Sequence, residues 1–188
     1  FLDEMGAKIV AISDYAGGIY NPGGLPIDLL ADYPNQGRLV QEFGSADTIS
    51  NDELLELSCD ILVPAAVGGV ITEQNADKIK AGSIFEAANG PITRSGESIL
   101  EDKGKIIFPD ILVNAGGVIV SYFEWVQNIQ EFTWELDEVN DKLKRILINS
   151  YQQVCQLADK QKISMRTAAF MVGVERVAEA TRLRGYLN

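Results

Sequence analysis

Residues 109–128, PDILVNAGGVIVSYFEWVQN, decide how this chain reads. They join the end of an apolar strand to an Asn114-Ala115-Gly116-Gly117 turn, then to an apolar helix start that carries Ser121. An amide, two residues without bulk and a serine are expected together where strand meets helix. In an open α/β sheet, that is where ligands bind.

Upstream, strand and helix signals alternate. Residues 8–13 (KIVAIS) form a β-branched run that reads as a buried strand, and residues 14–24 are rich in turn signals. Pro26 suits the first turn of a short helix reaching Asp32. Ser50-Asn51-Asp52-Glu53 is a capping-box pattern that opens a helix to about Ser58. Strands are expected at 61–63, 84–86 and 106–108, with helices from Thr72 to Lys80 and over 95–103, the latter closed by Gly104. Short strands that are apolar on both faces and alternate with helices mark a parallel sheet covered on both sides. The expected fold is therefore α/β, a Rossmann-like doubly wound parallel sheet.

At the start, FLDEMGAK reads as the tail of a helix, with Phe1, Leu2 and Met5 on one face and Gly6 just past its end. The sheet is accordingly expected to be incomplete, with the chain forming one N-terminally truncated domain over 1–188. From about 122 to 188 only helices are expected: a one-faced apolar pattern over 139–158, then a helix over 165–184 stopped by Gly185. Residues 133–136 offer no usual helix cap.

Composition narrows the function classes. The 188 residues are 46% hydrophobic and 23% charged, ordinary for a globular protein. A net charge of −11 disfavours nucleic acid and anionic membrane, which select for Lys/Arg patches. No apolar run approaches the roughly 20 residues of a spanning helix. Cys59 and Cys155 sit in no metal or redox spacing and are expected as reduced thiols of a cytoplasmic protein. The chain has no histidine, which removes His acid/base chemistry and Ser-His triads, and no metal site is expected.

Residues just past each expected strand would line the ligand crevice. These are Asp14, Ala65-Ala66, Asn89 and Asn114. A carboxylate at one side, small residues in the middle and two amides at the other suit a dinucleotide. Asp14 can accept both adenosine ribose hydroxyls and would repel a 2′-phosphate, which favours NAD and leaves NADP as the alternative cofactor. The competing reading is an ordinary turn aspartate. Ala65 and Ala66 either let a cofactor approach the backbone or simply close a tight turn. Asn89 offers a donor and an acceptor, to a ligand or to its own turn. Asn114 has the stronger claim, because Gly116 and Gly117 leave room for a ring.

The segments GAKIVAISD, DILVPAA, FEAANGPIT and PDILVNAGGVIVSYFEWVQN, followed by RTAAFMVGVERVAEA, resemble the glutamate/leucine/phenylalanine/valine dehydrogenase family in content and order. The resemblance implies that Ala65, Ala66, Asn89 and Asn114 contact the cofactor. It implies too that Val118 and Ser121 line the substrate side-chain pocket, Ser121 donating to the distal carboxylate of glutamate. The alternative for Ser121 is a back-bond within its own helix. One departure is Val67-Gly68-Gly69-Val70, where the family often carries a polar segment.

The implied reaction is oxidative deamination of L-glutamate to 2-oxoglutarate and ammonium with reduction of NAD. The family's glycine-rich pyrophosphate turn, catalytic lysine and catalytic aspartate find no match here, so no catalytic residue is assigned and the isolated chain is expected to be inactive. Lys78, Lys80, Lys103 and Lys105 read as solvated charges, and Glu135, Asp137, Glu138 and Asp141 suit a helix start. The resemblance further implies a homo-oligomeric parent. Two alternatives stand beside this one: a dehydrogenase for branched or aromatic amino acids, and a non-catalytic regulatory module of the same fold.

Overall fold

The computed structural model describes residues 1–33 and 36–185. The chain divides into two compact units, Phe1–Asp60 with Lys78–Ala81, and Ile61–Asp77 with Gly82–Asn188.

In the first unit, the opening turn closes as expected of a helix end. Met5 N donates to Phe1 O and Ala7 N to Leu2 O, both at 3.0 Å, and Gly6 has φ 88°, the pattern of a Schellman-type stop. Strands β1 (Ala11–Asp14), β2 (Gly17–Tyr20) and β3 (Asp47–Ile49) form a sheet in the order β1-β2-β3. Both pairings are antiparallel, with Ala11 opposite Tyr20 and Asp14 opposite Gly17. The expected first strand thus exists, but it does not join a parallel sheet. Only Tyr15 and Ala16 separate β1 from β2, and so short a link makes a hairpin, since a parallel return needs a crossover of about a dozen residues or more. Gly17 sits at φ 140°, and the side chain of Gln41 fills the place a Cβ would take.

Helices α1 (Ile27–Leu30, behind Pro26) and α2 (Asn51–Leu55) complete this unit. The capping box at α2 is formed in full: Glu53 N donates to Ser50 Oγ, and Ser50 N donates to Glu53 Oε2 at 2.7 Å. Ile19, Leu25, Leu30 and Phe43 make the core, flanked by Ile12, Ile27, Tyr33 and Val40. Each such burial is worth about 1.5–3 kcal/mol.

The second unit holds the parallel sheet. Strands β4 (Ile61–Leu62), β5 (Ser83–Phe85) and β6 (Ile106–Phe108) lie in that order, all parallel. Helix α3 (Arg94–Asp102), capped by Thr93, makes the crossover from β5 to β6. Phe85 and Phe108 are register partners whose rings stack at 4.0 Å. Consecutive strands side by side, joined by crossovers, are the pattern of half a doubly wound sheet. The helix expected from Thr72 shrinks to a turn and one 3-10 turn at Ala76–Lys78. Asn75 ties this turn to the residues before it: its Oδ1 accepts from Thr72 N and its Nδ2 donates to Val70 O, both at 2.8 Å.

Past β6 the structure departs from the expected strand-to-turn junction. Pro109 N-caps a one-turn helix α4 (Asp110–Val113), its carbonyl accepting from Leu112 N and Val113 N at 3.0 Å. Ile111-Leu112-Val113 is therefore helical rather than the tail of a strand, as a proline with φ −73° at a helix entrance favours. Ala115, Gly116 and Gly117 lie in the first turn of α5 (Ala115–Gln130), not in a loop. Helices α6 (Leu136–Gln161) and α7 (Met165–Leu183) follow. As the sequence indicates, Glu135, the N-cap of α6, makes no side-chain capping bond. Leu112, Val154, Ala158, Ala168 and Ala169 form the core that joins α4, α6 and α7. Among the described residues, no helix is long and apolar enough to cross a membrane.

Candidate functional site

Six of the seven residues singled out in the sequence lie in the second unit, in three stretches at 65–66, 89 and 114–121, and Asp14 lies in the first. Asn89 lies on the exposed loop after β5. Asn114 is at once the C-cap of α4 and the residue before α5. Its side chain makes no capping bond to α5. Instead, Asn114 Nδ2 donates to Asn89 Oδ1 at 2.7 Å. Among the described residues, Asn89 Nδ2 and Asn114 Oδ1 make no further hydrogen bond. The pair thus keeps the Asn89 amide nitrogen as a donor and the Asn114 amide oxygen as an acceptor, groups of the kind a primary carboxamide can meet.

Beside the pair, the start of α5 carries Gly116 and Gly117. A Cβ added at either position would meet nothing within 4 Å. Neither glycine has a positive φ, so neither backbone nor packing requires it. Each weakens the helix by roughly 1 kcal/mol relative to alanine. The next residue, Val118, is 76% exposed. Ser121 is exposed as well, and its hydroxyl donates to Gly117 O at 2.9 Å, the back-bond weighed as its alternative.

Ala65 and Ala66 are exposed and follow the buried Pro64. The carbonyl of Pro64 accepts from Ala87 N (3.1 Å) and Ala88 N (2.9 Å), which ties the alanine turn to the loop leading to Asn89. The glycine pair that departs from the family pattern serves the same junction. Gly69 N donates to Gly90 O at 2.8 Å, and a Cβ on Gly68 would lie 2.9 Å from Asn89 O. Only a residue without a side chain admits that approach.

Asp14, in the first unit, organises its own turn. Its Oδ1 accepts from Ala16 N and its Oδ2 from Val40 N, both at 2.8 Å. Asn51 Nδ2 donates to its backbone carbonyl at 3.1 Å. Of the lysines read as solvated charges, Lys78 pairs with Glu56 at 3.2 Å and Lys103 with Asp77 at 2.7 Å.

The sequence reading missed a partly buried ionic cluster that includes the buried Glu86 and reaches the loop of Asn89 through Gly90 N. Arg166 Nη2 donates to Glu86 Oε2 at 2.7 Å, its Nε to both oxygens of Glu97 at 2.7 and 2.8 Å, and its Nη1 to Asp110 Oδ1 at 3.2 Å. Glu86 is fully buried, and its Oε1 has no partner. Burial pushes the Glu86 carboxyl above the usual range, against the pull of Arg166 and of Asp110 N. The one available signal was an acidic residue in the otherwise apolar run SIFEAA.

With this geometry in hand, comparison with known proteins is decisive. The sequence profile of the Glutamate/Leucine/Phenylalanine/Valine dehydrogenase family matches residues 1–185. The chain belongs to this family. It is 50% identical over 188 residues to the cryptic catabolic NAD-specific glutamate dehydrogenase GudB of Bacillus subtilis, covering 100% of this chain and 44% of that protein. It is 47% identical over 182 residues to the glutamate dehydrogenase of Thermotoga maritima, covering 97% and 44%. Among solved structures, the hetero-hexameric glutamate dehydrogenase of Thermus thermophilus in a Leu-bound form superposes with a TM-score of 0.88 at 32% identity, covering 99% of this chain and 44% of that one. The chain therefore spans under half the length of the relatives it matches.

Proposed function

We propose that this chain is the cofactor-binding portion of an NAD-dependent glutamate dehydrogenase, which converts L-glutamate to 2-oxoglutarate and ammonium. The observation that carries the reading is the Asn89–Asn114 pair, held at 2.7 Å with one donor and one acceptor turned to spare, beside two glycines that leave open space. These residues fit a nicotinamide: the pair complements its carboxamide, and Gly116 and Gly117 leave room for its ring. When bound, the nicotinamide supplies the hydride acceptor.

The chain's own residues bind and orient. Ala65 and Ala66 keep the neighbouring turn free of bulk. Val118 offers apolar contact to the aliphatic part of an amino-acid side chain. The Ser121 hydroxyl, exchanging its bond to Gly117 O, would donate to the distal carboxylate of glutamate. For the first unit, the proposal is limited to Asp14. Two of its roughly four lone-pair sites are used within its turn, which leaves acceptors for ribose hydroxyls. Relatives named NAD-specific at 50% identity support NAD as the cofactor. Oligomeric assembly of the full-length protein is part of the proposal, supported by apolar residues such as Trp125, Ile129 and Val174, each more than half exposed.

The direct test is Asn114→Ala in the full-length protein. The account expects the KM for NAD to rise about tenfold, the loss of one hydrogen bond's worth of affinity, while the KM for glutamate stays unchanged. An unchanged KM for NAD contradicts it.

A further inference from the structure

Arg166 stands in the first turn of α7, the helix end where the backbone dipole disfavours a cation. It is nevertheless gripped there by Glu86, Glu97 and Asp110. Three carboxylates around one guanidinium leave excess negative charge in a site that holds a fully buried carboxylate. Well-packed apolar side chains of the same volume often stabilise a fold as well or better, so stability alone gives no reason for this arrangement.

The bonds show where it leads. Asp110 Oδ1 accepts from Ile111 N (2.7 Å) and from Arg166 Nη1 (3.2 Å) and its Oδ2 from Gly90 N (2.8 Å), while its own backbone N donates to Glu86 Oε2 at 2.8 Å. One residue thereby fixes the loop after β5 to the entrance of α4. Asn89 is the neighbour of Gly90 on that loop. Asn114 closes α4, its N donating to Asp110 O at 2.9 Å. Both members of the amide pair thus hang from Asp110, and Asp110 is held in turn by Arg166.

We propose that Asp110, locked in place by Arg166, is a positioning residue that sets the spacing of the Asn89–Asn114 pair for its ligand. The proposal rests on the reading that this pair receives the nicotinamide end of the cofactor. Asp110 itself touches no ligand. Its Oδ1 accepts from Ile111 N and Arg166 and its Oδ2 from Gly90 N, and an asparagine, with one oxygen and one amide nitrogen, cannot serve both sides.

The test is a double-mutant cycle in the full-length protein, reading the dissociation constant of NADH for wild type, Asp110→Asn, Asn114→Ala and the double variant. Each single change is expected to weaken NADH about tenfold, and the double variant to bind no more weakly than Asn114→Ala alone. The KM for glutamate should not move in Asp110→Asn. If the two effects multiply to about a hundredfold, or if the KM for glutamate rises in step, Asp110 acts by general loosening and the inference falls. If Asn114→Ala weakens NADH but Asp110→Asn does not, the inference falls while the cofactor reading stands. If Asn114→Ala has no effect, both fall. Should Asp110→Asn fail to fold, Arg166→Lys carries the same cycle, since it keeps the charge and loses the three-way grip.

Discussion

Asn114 Nδ2 lies 2.7 Å from Asn89 Oδ1, so the amide at the head of α5 is spent across a loop rather than on capping its own helix. The two residues are 25 positions apart in the chain. Their contact joins two separate turn amides beside the open glycine start of α5.

The glycines themselves give a test. Gly116→Ala places its methyl in open space, so no clash within the chain opposes the gain in helix propensity. Unfolding by urea should show a rise in stability of about 0.5–1 kcal/mol, while the KM for NAD rises. A gain in stability with cofactor binding untouched would show that the open space is not used.

Ser121→Ala separates the two ends of the site. The lost back-bond to Gly117 O is on an exposed helix face, so stability should change by less than about 0.5 kcal/mol. Steady-state kinetics of the full-length protein should show the KM for glutamate rising much more than that for NAD. Equal changes would remove Ser121 from the substrate pocket.

Gly68→Ala tests the junction of the two loops. The new Cβ would sit 2.9 Å from Asn89 O and 3.3 Å from Gly90 O, both backbone atoms, so one loop must shift. A cost of about 1–3 kcal/mol in stability is expected, with weaker NADH binding measured by titration. An unperturbed variant would mean that the loops are not held at this distance.

Glu86 sets a pH dependence. Its folded-state carboxyl titrates above the usual range, chiefly because burial penalises the charged form. Its contribution to stability is then fully present below the ordinary carboxylate range and is lost as pH rises through the raised value. Glu86→Gln keeps an oxygen for both Arg166 and Asp110 N, and its amide nitrogen falls where Oε1 has no partner. Urea unfolding across the acid range should show this variant gaining on wild type as pH rises through that window. Arg166→Met, which leaves the carboxylates uncompensated, should cost about 3–5 kcal/mol.

What was legible in the sequence was local. Ser50 and Glu53 announce α2 because a capping box lies within four consecutive residues, and Ile106–Phe108 reads as a strand from its own apolar run. Asn89 and Asn114 could be named as amides at turns. Their contact could not, since it depends on α4, a one-turn helix that Pro109 starts inside a run of strand-like residues. Gly17 and Gly18 read as turn residues but lie in β2 because a hairpin partner holds them. The helix read from Thr72 goes no further than the 3-10 turn at Ala76–Lys78. The Arg166 cluster was beyond reach, its partners lying 56 to 80 positions away.

The measurement closest to the central claim is a crystal structure of the full-length protein with NADH. The account predicts the nicotinamide carboxamide within hydrogen-bond distance of Asn89 Nδ2 and Asn114 Oδ1, with the ring over Gly116 and Gly117. A nicotinamide bound elsewhere, with the amide pair left facing solvent, would contradict it.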